Sequence, residues 1–272
     1  TIDAPGFCFR VACRLKRCVE MKNIPVLHYV APSVWAWAPG RARKVARFLD
    51  HLLTLLPFEP PYFEIEGLTS TCVGHPVTES GADRGDGPAF RARHGIALDA
   101  LVLCVLPGSR ATEVARLLPV FLDTVKRLAA RFGKLHVVVP AVPALAGRIE
   151  SATDDQLPPV TILCNEKEKF HAFAASDAAL AASGTVSLEL AMAGVPMVVA
   201  YRMNLLTTWL AKRLILVKYV SLVNLLLDRS AIPEFLSGNC RPEFLAQALE
   251  TLLTDAVACE EQRASFTEAL AM

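Results

Sequence analysis

The chain has 272 residues, 53% of them hydrophobic and 20% charged. That length supports two domains of ordinary size, and no uncharged apolar run reaches the ~18 residues of a membrane span. A net charge of +1 argues against a general nucleic-acid binder. Eight cysteines without a C-x-x-C pair argue against zinc and fit a reduced, cytosolic protein.

In chain order, the opening TIDAPGF reads as the end of a strand and the loop after it. A central strand needs neighbours, so the expectation is a fragment lacking its first βα units and inactive alone. Alternation of apolar and polar runs then predicts helices over Phe9–Met21, Arg41–Asp50 and Pro60–Glu66, with strands over Pro25–Val30, His51–Leu56 and Thr71–Gly74. The stretch from Thr78 to Pro88, rich in Gly, Asp and Ser, is the best linker candidate. Beyond it the pattern predicts strands over Leu101–Leu106, His136–Pro140 and Val160–Cys164, with helices over Thr112–Arg131, Ala144–Ser151 and Glu166–Ala174. Ala178–Tyr201 follows as strand, Ser-Gly-Thr turn, helix and strand, and Leu205–Leu216 and Pro242–Leu253 look helical. Strands separated by helices of this length imply parallel sheets with right-handed crossovers. The expected architecture is α/β: a partial Rossmann-like domain over 1–80, a linker over 81–98, and a nucleotide-sugar-binding Rossmann-like domain over 99–272.

Ligands in such sheets bind beyond the carboxyl ends of strands, and the candidate residues fall there. Ser183, Gly184 and Thr185 join a strand to a helix start, where free backbone N–H groups and the helix dipole attract an anion. Glu189, one turn in, is placed to accept hydrogen bonds from a sugar's paired hydroxyls. In Leu106–Arg110, Gly108 lets the backbone approach a ligand, Ser109 can cap a helix, and Arg110 suits a phosphate. Glu113 fits orienting Arg110 or supporting the helix start. Asp3, just after a strand and followed by Pro5, is a candidate general base or only a turn residue. Asn224 in YVSLVN either contacts a nucleotide or closes a turn. Trp35 and Trp37, beside Arg41, Arg43, Lys44 and Arg47, suit a membrane interface or a phosphorylated lipid, as does Trp209 in WLAKRLILVK. Buried tryptophans and a solvated helix face are the alternative.

YVAPSVWAW, LLPFE, VGHP, LPGSR, ASGTVSLELAMAGVPMVVAYRM, WLAKRL and YVSLVN, in this order, resemble the lipid-A-disaccharide synthase family. The resemblance implies the GT-B glycosyltransferase fold, two doubly wound Rossmann-like domains, here with the first incomplete. It implies transfer of 2,3-diacylglucosamine from UDP-2,3-diacylglucosamine to 2,3-diacylglucosamine 1-phosphate, giving a β-1,6 disaccharide and UDP without a metal or other cofactor. It also implies a peripheral enzyme on the cytoplasmic face of the inner membrane of Gram-negative bacteria. Asp3 takes the role of base, Arg110 stabilises the leaving diphosphate, Gly184, Thr185 and Glu189 hold the UDP moiety, and Asn224 contacts the nucleotide side, with Gly108, Ser109 and Ser183 as further substrate-binding residues. The chain departs from the family at Gly6, Val223 and the Thr78–Glu79 pair, and lacks the family's GEASGD segment. A UDP-sugar 2-epimerase-like GT-B enzyme and a non-catalytic UDP-binding remnant are the other readings, and a homo-oligomer is compatible with each.

Overall fold

A computed structural model describes residues 1–21, 23–202 and 217–272. They form two compact units, one built on Thr1–Pro76 and one on residues 77–202 and 219–272.

The first unit is a parallel sheet of three short strands in the order β1 (Leu27–Tyr29), β2 (His51–Thr54), β3 (Ser70–Cys72). Ile2 adds an isolated parallel bridge to Tyr29, so the opening residues run alongside β1 as a strand end would. Chain reversal into α1 (Pro5–Arg17) uses Pro5 near the helix start, where a missing N–H costs nothing. The helices α2 (Val34–Trp37), α3 (Gly40–Val45) and α4 (Pro60–Glu64) follow. Ala12, Val34, Val45, Leu49, Leu52 and Phe63 from these elements and the loops between them form one apolar cluster.

The second unit opens with α5 (Gly87–Arg93) and then alternates strand and helix. Its strands are β4 (Leu101–Leu106), β5 (Leu135–Pro140), β6 (Val160–Leu163), β7 (Ala178–Ala182), β8 (Met197–Tyr201) and β9 (Glu234–Leu236). All described pairings in it are parallel, in the order β6-β5-β4-β7-β8-β9. Its helices are α6 (Ala111–Arg131), α7 (Pro143–Glu150), α8 (Glu166–Ala174), α9 (Val186–Met192), α10 (Leu222–Leu227), α11 (Pro242–Thr254) and α12 (Ala256–Leu270). Because side chains alternate along a strand, the continuous apolar run of β4 serves both faces. Leu103 and Val105 join Phe121 of α6 and Leu245 of α11, whereas Val102, Cys104 and Leu106 join Phe173 of α8, Leu188 of α9 and Phe266 of α12. A sheet covered on both faces, with its strand order reversing between β4 and β7, is doubly wound.

Five helices and strands went unread in the sequence: α2, α5, α10, β9 and α12. The helix expected over Leu205–Leu216, and Trp209 within it, lie outside the described residues. The stretch expected as a linker is folded. Residues 81–98 hold a short 3₁₀ turn (Ala82–Arg84) and α5, and bury Phe90 and Ile96 in the second unit's core. Two of its glycines serve close approach rather than freedom: a Cβ on Gly85 would lie 2.0 Å from the Phe170 carbonyl oxygen, and one on Gly87 2.3 Å from that of Ala174.

Candidate functional site

The turn after β4 takes its shape from two residues. Gly108 has φ 116°, and a Cβ there would stand 2.8 Å from the Glu113 side chain, so glycine is required. Glu113, in the first turn of α6, accepts the Ser109 backbone N–H at 3.3 Å through Oε2 and the Arg110 guanidinium at 2.6 Å through Oε1. That bond raises the Arg110 pKa further above its ordinary value, so the group is permanently charged. The Arg110 side chain is nevertheless 77% exposed, aligned by its partner but open to a ligand.

The turn after β7 lies across from it. Ser183 Oγ donates to the Val220 carbonyl at 2.8 Å and its N–H to Ala200 at 3.1 Å, which fixes the strand end. Gly184 and Thr185 then stand exposed at the start of α9, where the first N–H groups of a helix have no partner within it. Glu189 is half-buried and its Oε2 lies 2.5 Å from the Lys169 ammonium of α8. Lys169 escaped the sequence reading because Glu166-Lys167-Glu168-Lys169 alternates in charge, the mark of a solvated helix face.

These groups share one cavity of about 430 Å³, lined by Gly108, Ser109, Arg110, Ser183, Gly184, Thr185 and Glu189 together with Asn165 and Lys169. Residues following β4, β5, β6 and β7 all reach it, and it sits where the strand order reverses, the ligand crevice of doubly wound sheets. A wider depression of about 610 Å³ near Phe235, Phe244 and Ser265 holds none of the residues singled out from the sequence. Convergent charge and exposed backbone at strand ends mark the smaller cavity as the candidate site.

Asn224 stands apart. Fully buried, its Nδ2 donates to the Ile232 carbonyl and to Glu234 Oε1, both at 2.8 Å. Its Oδ1 accepts the N–H groups of Ala231 (2.9 Å) and Ile232 (2.8 Å). Two donors and two acceptor positions are thereby used, so the side chain has nothing left for a nucleotide. It instead anchors the turn into β9, where Glu234 also accepts the N–H groups of Val220 and Ser221.

In the first unit, Asp3 is exposed and its N–H donates to the Tyr29 carbonyl at 2.8 Å. Asp3 and Ala4 have φ 43° and 42°, two successive left-handed residues without a glycine, a strained way to present a carboxylate. Trp35 corrects the membrane reading. It is buried, and its Nε1 donates to Glu59 at 3.0 Å while its ring meets Phe58 edge-on at 5.2 Å. Burial pushes the Glu59 carboxyl above its usual range, against the bonds from Trp35, Leu56 and Leu55. Trp37 is 51% exposed, with the Arg41 guanidinium 5.2 Å over its ring. Arg43 and Lys44 of α3, and Arg47 just after it, are exposed. Among the described residues no helix is long and apolar enough to cross a membrane.

A family model described as lipid-A-disaccharide synthetase matches residues 1–271. The lipid-A-disaccharide synthase of Rhodospirillum centenum is 57% identical over 268 residues, which cover 98% of this chain and 66% of that protein. The enzyme of the same name from Paramagnetospirillum magneticum is 50% identical over 272 residues, covering 99% of this chain and 69% of its own. The chain therefore spans about two thirds of the length of these curated relatives. Among solved structures, a UDP-forming α,α-trehalose-phosphate synthase from Burkholderia xenovorans superposes with a TM-score of 0.58 at 14% identity, covering 99% of this chain and 68% of that one. At that identity the likeness is one of fold, the GT-B fold of glycosyltransferases.

Proposed function

The chain belongs to the lipid-A-disaccharide synthase family, and from that premise we propose that the whole protein joins two acylated sugars. The donor is UDP-2,3-diacylglucosamine, the acceptor 2,3-diacylglucosamine 1-phosphate, and the products a β-1,6 disaccharide and UDP. One observation carries the reading: Arg110, Gly184, Thr185 and Glu189 line a single cavity at the reversal point of the sheet.

The chemistry follows from charge. As the bond from the anomeric carbon to the diphosphate breaks, negative charge grows on the leaving oxygens. A fixed guanidinium and backbone N–H groups stabilise that charge in the transition state. Arg110, oriented by Glu113, supplies the first, and the turn at Gly184–Thr185 the second. Glu189 holds the ribose hydroxyls. Inversion needs one displacement and one base, and Asp3 removes the proton from the acceptor's 6-hydroxyl. Trp37, Arg41, Arg43, Lys44 and Arg47 meet the anionic surface of the inner membrane from the cytoplasmic side, where both lipid substrates are embedded.

The test is UDP release by a chain extended to the relatives' full length. Release that requires both lipids, and is lost in Arg110→Ala, supports the reading. Consumption of the UDP-sugar without acceptor would replace it with an epimerase or hydrolase.

A further inference from the structure

We propose that Lys169 is a positioning residue, fixing Glu189 so that its carboxylate accepts the paired hydroxyls of a nucleotide's ribose. This rests on the assignment of the cavity to UDP and adds a residue that neither the motifs nor the resemblance singled out.

The two side chains come from neighbouring helices, α8 and α9, on the same face of the sheet. They meet at 2.5 Å with the lysine 27% and the glutamate 16% exposed, so their attraction is screened less than that of a surface pair. The ammonium also lies 5.4 Å from the Phe170 ring centre and 5.7 Å from that of Phe173, which confines it beside Glu189. An ionised carboxylate has about four acceptor positions, so one bond to Lys169 leaves room for two hydroxyls. A second cation thus lines the cavity with Arg110, but its charge is already committed to a carboxylate. Arg110 is bound to Glu113 in the same manner yet remains largely exposed.

Calorimetric titration with UDP tests this, with uridine as the probe that carries ribose and no phosphate. Glu189→Gln should weaken UDP by about tenfold. Lys169→Met, which keeps the aliphatic stem, should weaken both UDP and uridine by about fivefold. That loss should vanish when Glu189→Gln is already present, and Lys169→Arg should restore binding to within about twofold. In the full-length enzyme the change should appear in KM for the donor, with kcat unaltered. Thermal unfolding of Lys169→Met matching the unaltered chain keeps the loss from being one of folding.

The inference is overturned if Lys169→Met binds UDP as before, or if its loss persists in the Glu189→Gln background. It is also overturned if UDP weakens and uridine does not, because Lys169 would then touch phosphate directly. Failure of the unaltered chain to bind UDP, or indifference of UDP to Glu189→Gln, would remove the assignment of the cavity and the inference with it.

Discussion

Arg110 and Asn224 stand in the same unit, each in a motif that promises ligand contact, and they are used in opposite ways. Among the described residues Arg110 pairs with Glu113 and leaves most of its guanidinium in the open. Asn224 is sealed from solvent with all its hydrogen-bonding positions occupied by Ala231, Ile232 and Glu234. Unused hydrogen-bonding capacity, rather than residue type, separates a group that can meet a ligand from one that holds the ligand's surroundings. The tryptophans repeat the contrast in the first unit, Trp35 bonded inward to Glu59 and Trp37 half in water beneath Arg41.

The largest expected effect would break the comparison at once. In the full-length enzyme, Arg110→Ala should lower kcat by about a hundredfold to a thousandfold, the usual cost of removing one transition-state charge stabiliser. Thermal unfolding should not move, since the side chain supports little else. Unfolding that fell with the rate would make Arg110 a structural residue. Asn224→Ala should do the reverse. It strands two backbone donors and a carbonyl, takes one of three bonds from the Glu234 carboxylate, and should cost about 2–4 kcal/mol in urea unfolding of the second unit. A stable Asn224→Ala with weakened UDP binding would restore the nucleotide contact that its saturated bonds argue against.

Smaller changes sharpen the same boundary. Gly108→Ala forces a Cβ into Glu113 at a left-handed φ, and should cost about 1–3 kcal/mol. It should also loosen Arg110, read as weaker UDP binding in calorimetry, because Glu113 is the group displaced. Trp35→Phe keeps one aromatic ring but loses the pyrrole ring with its bond to Glu59, leaving a buried carboxylate short of a donor beside a small void, and should cost about 2–3 kcal/mol in thermal unfolding. Trp37→Ala should leave stability within about 0.5 kcal/mol. It should lower sedimentation with anionic vesicles, an association that added salt should also weaken. Equal destabilisation by both tryptophan changes would erase the distinction between them.

Much of the second unit was legible because its signals are local. The run LVLCVL gives β4 its bounds, and Asn165 capping α8 through the Lys167 N–H marks the start of that helix. Glycine and arginine after β4, and Ser-Gly-Thr after β7, are set by the turns themselves, so their neighbourhood could be read before their contacts were seen. What escaped depends on distant partners. Asn224 is saturated by residues around β9, a three-residue strand with no apolar period to announce it. The face that α12 buries includes Cys259, Gln262, Ser265 and Ala269 beside Phe266, too small and polar to read as an apolar stripe. Gln262 earns its burial by pairing with both the N–H and the carbonyl of Met197 in β8. Gly85 and Gly87 suggest a flexible linker in the sequence, and only the approach of α8 shows that they are spacers. Lys169 becomes significant only once α9 brings Glu189 to it.

The most direct measurement is a UDP titration of this chain followed through its backbone amide resonances. Saturable shifts at Gly108, Ser109, Arg110, Gly184, Thr185 and Glu189 are predicted, with Ala231 and Ile232 held in place by Asn224. Shifts confined to the Asn224 segment while the cavity's amides stay still, or no response to UDP, would contradict the account.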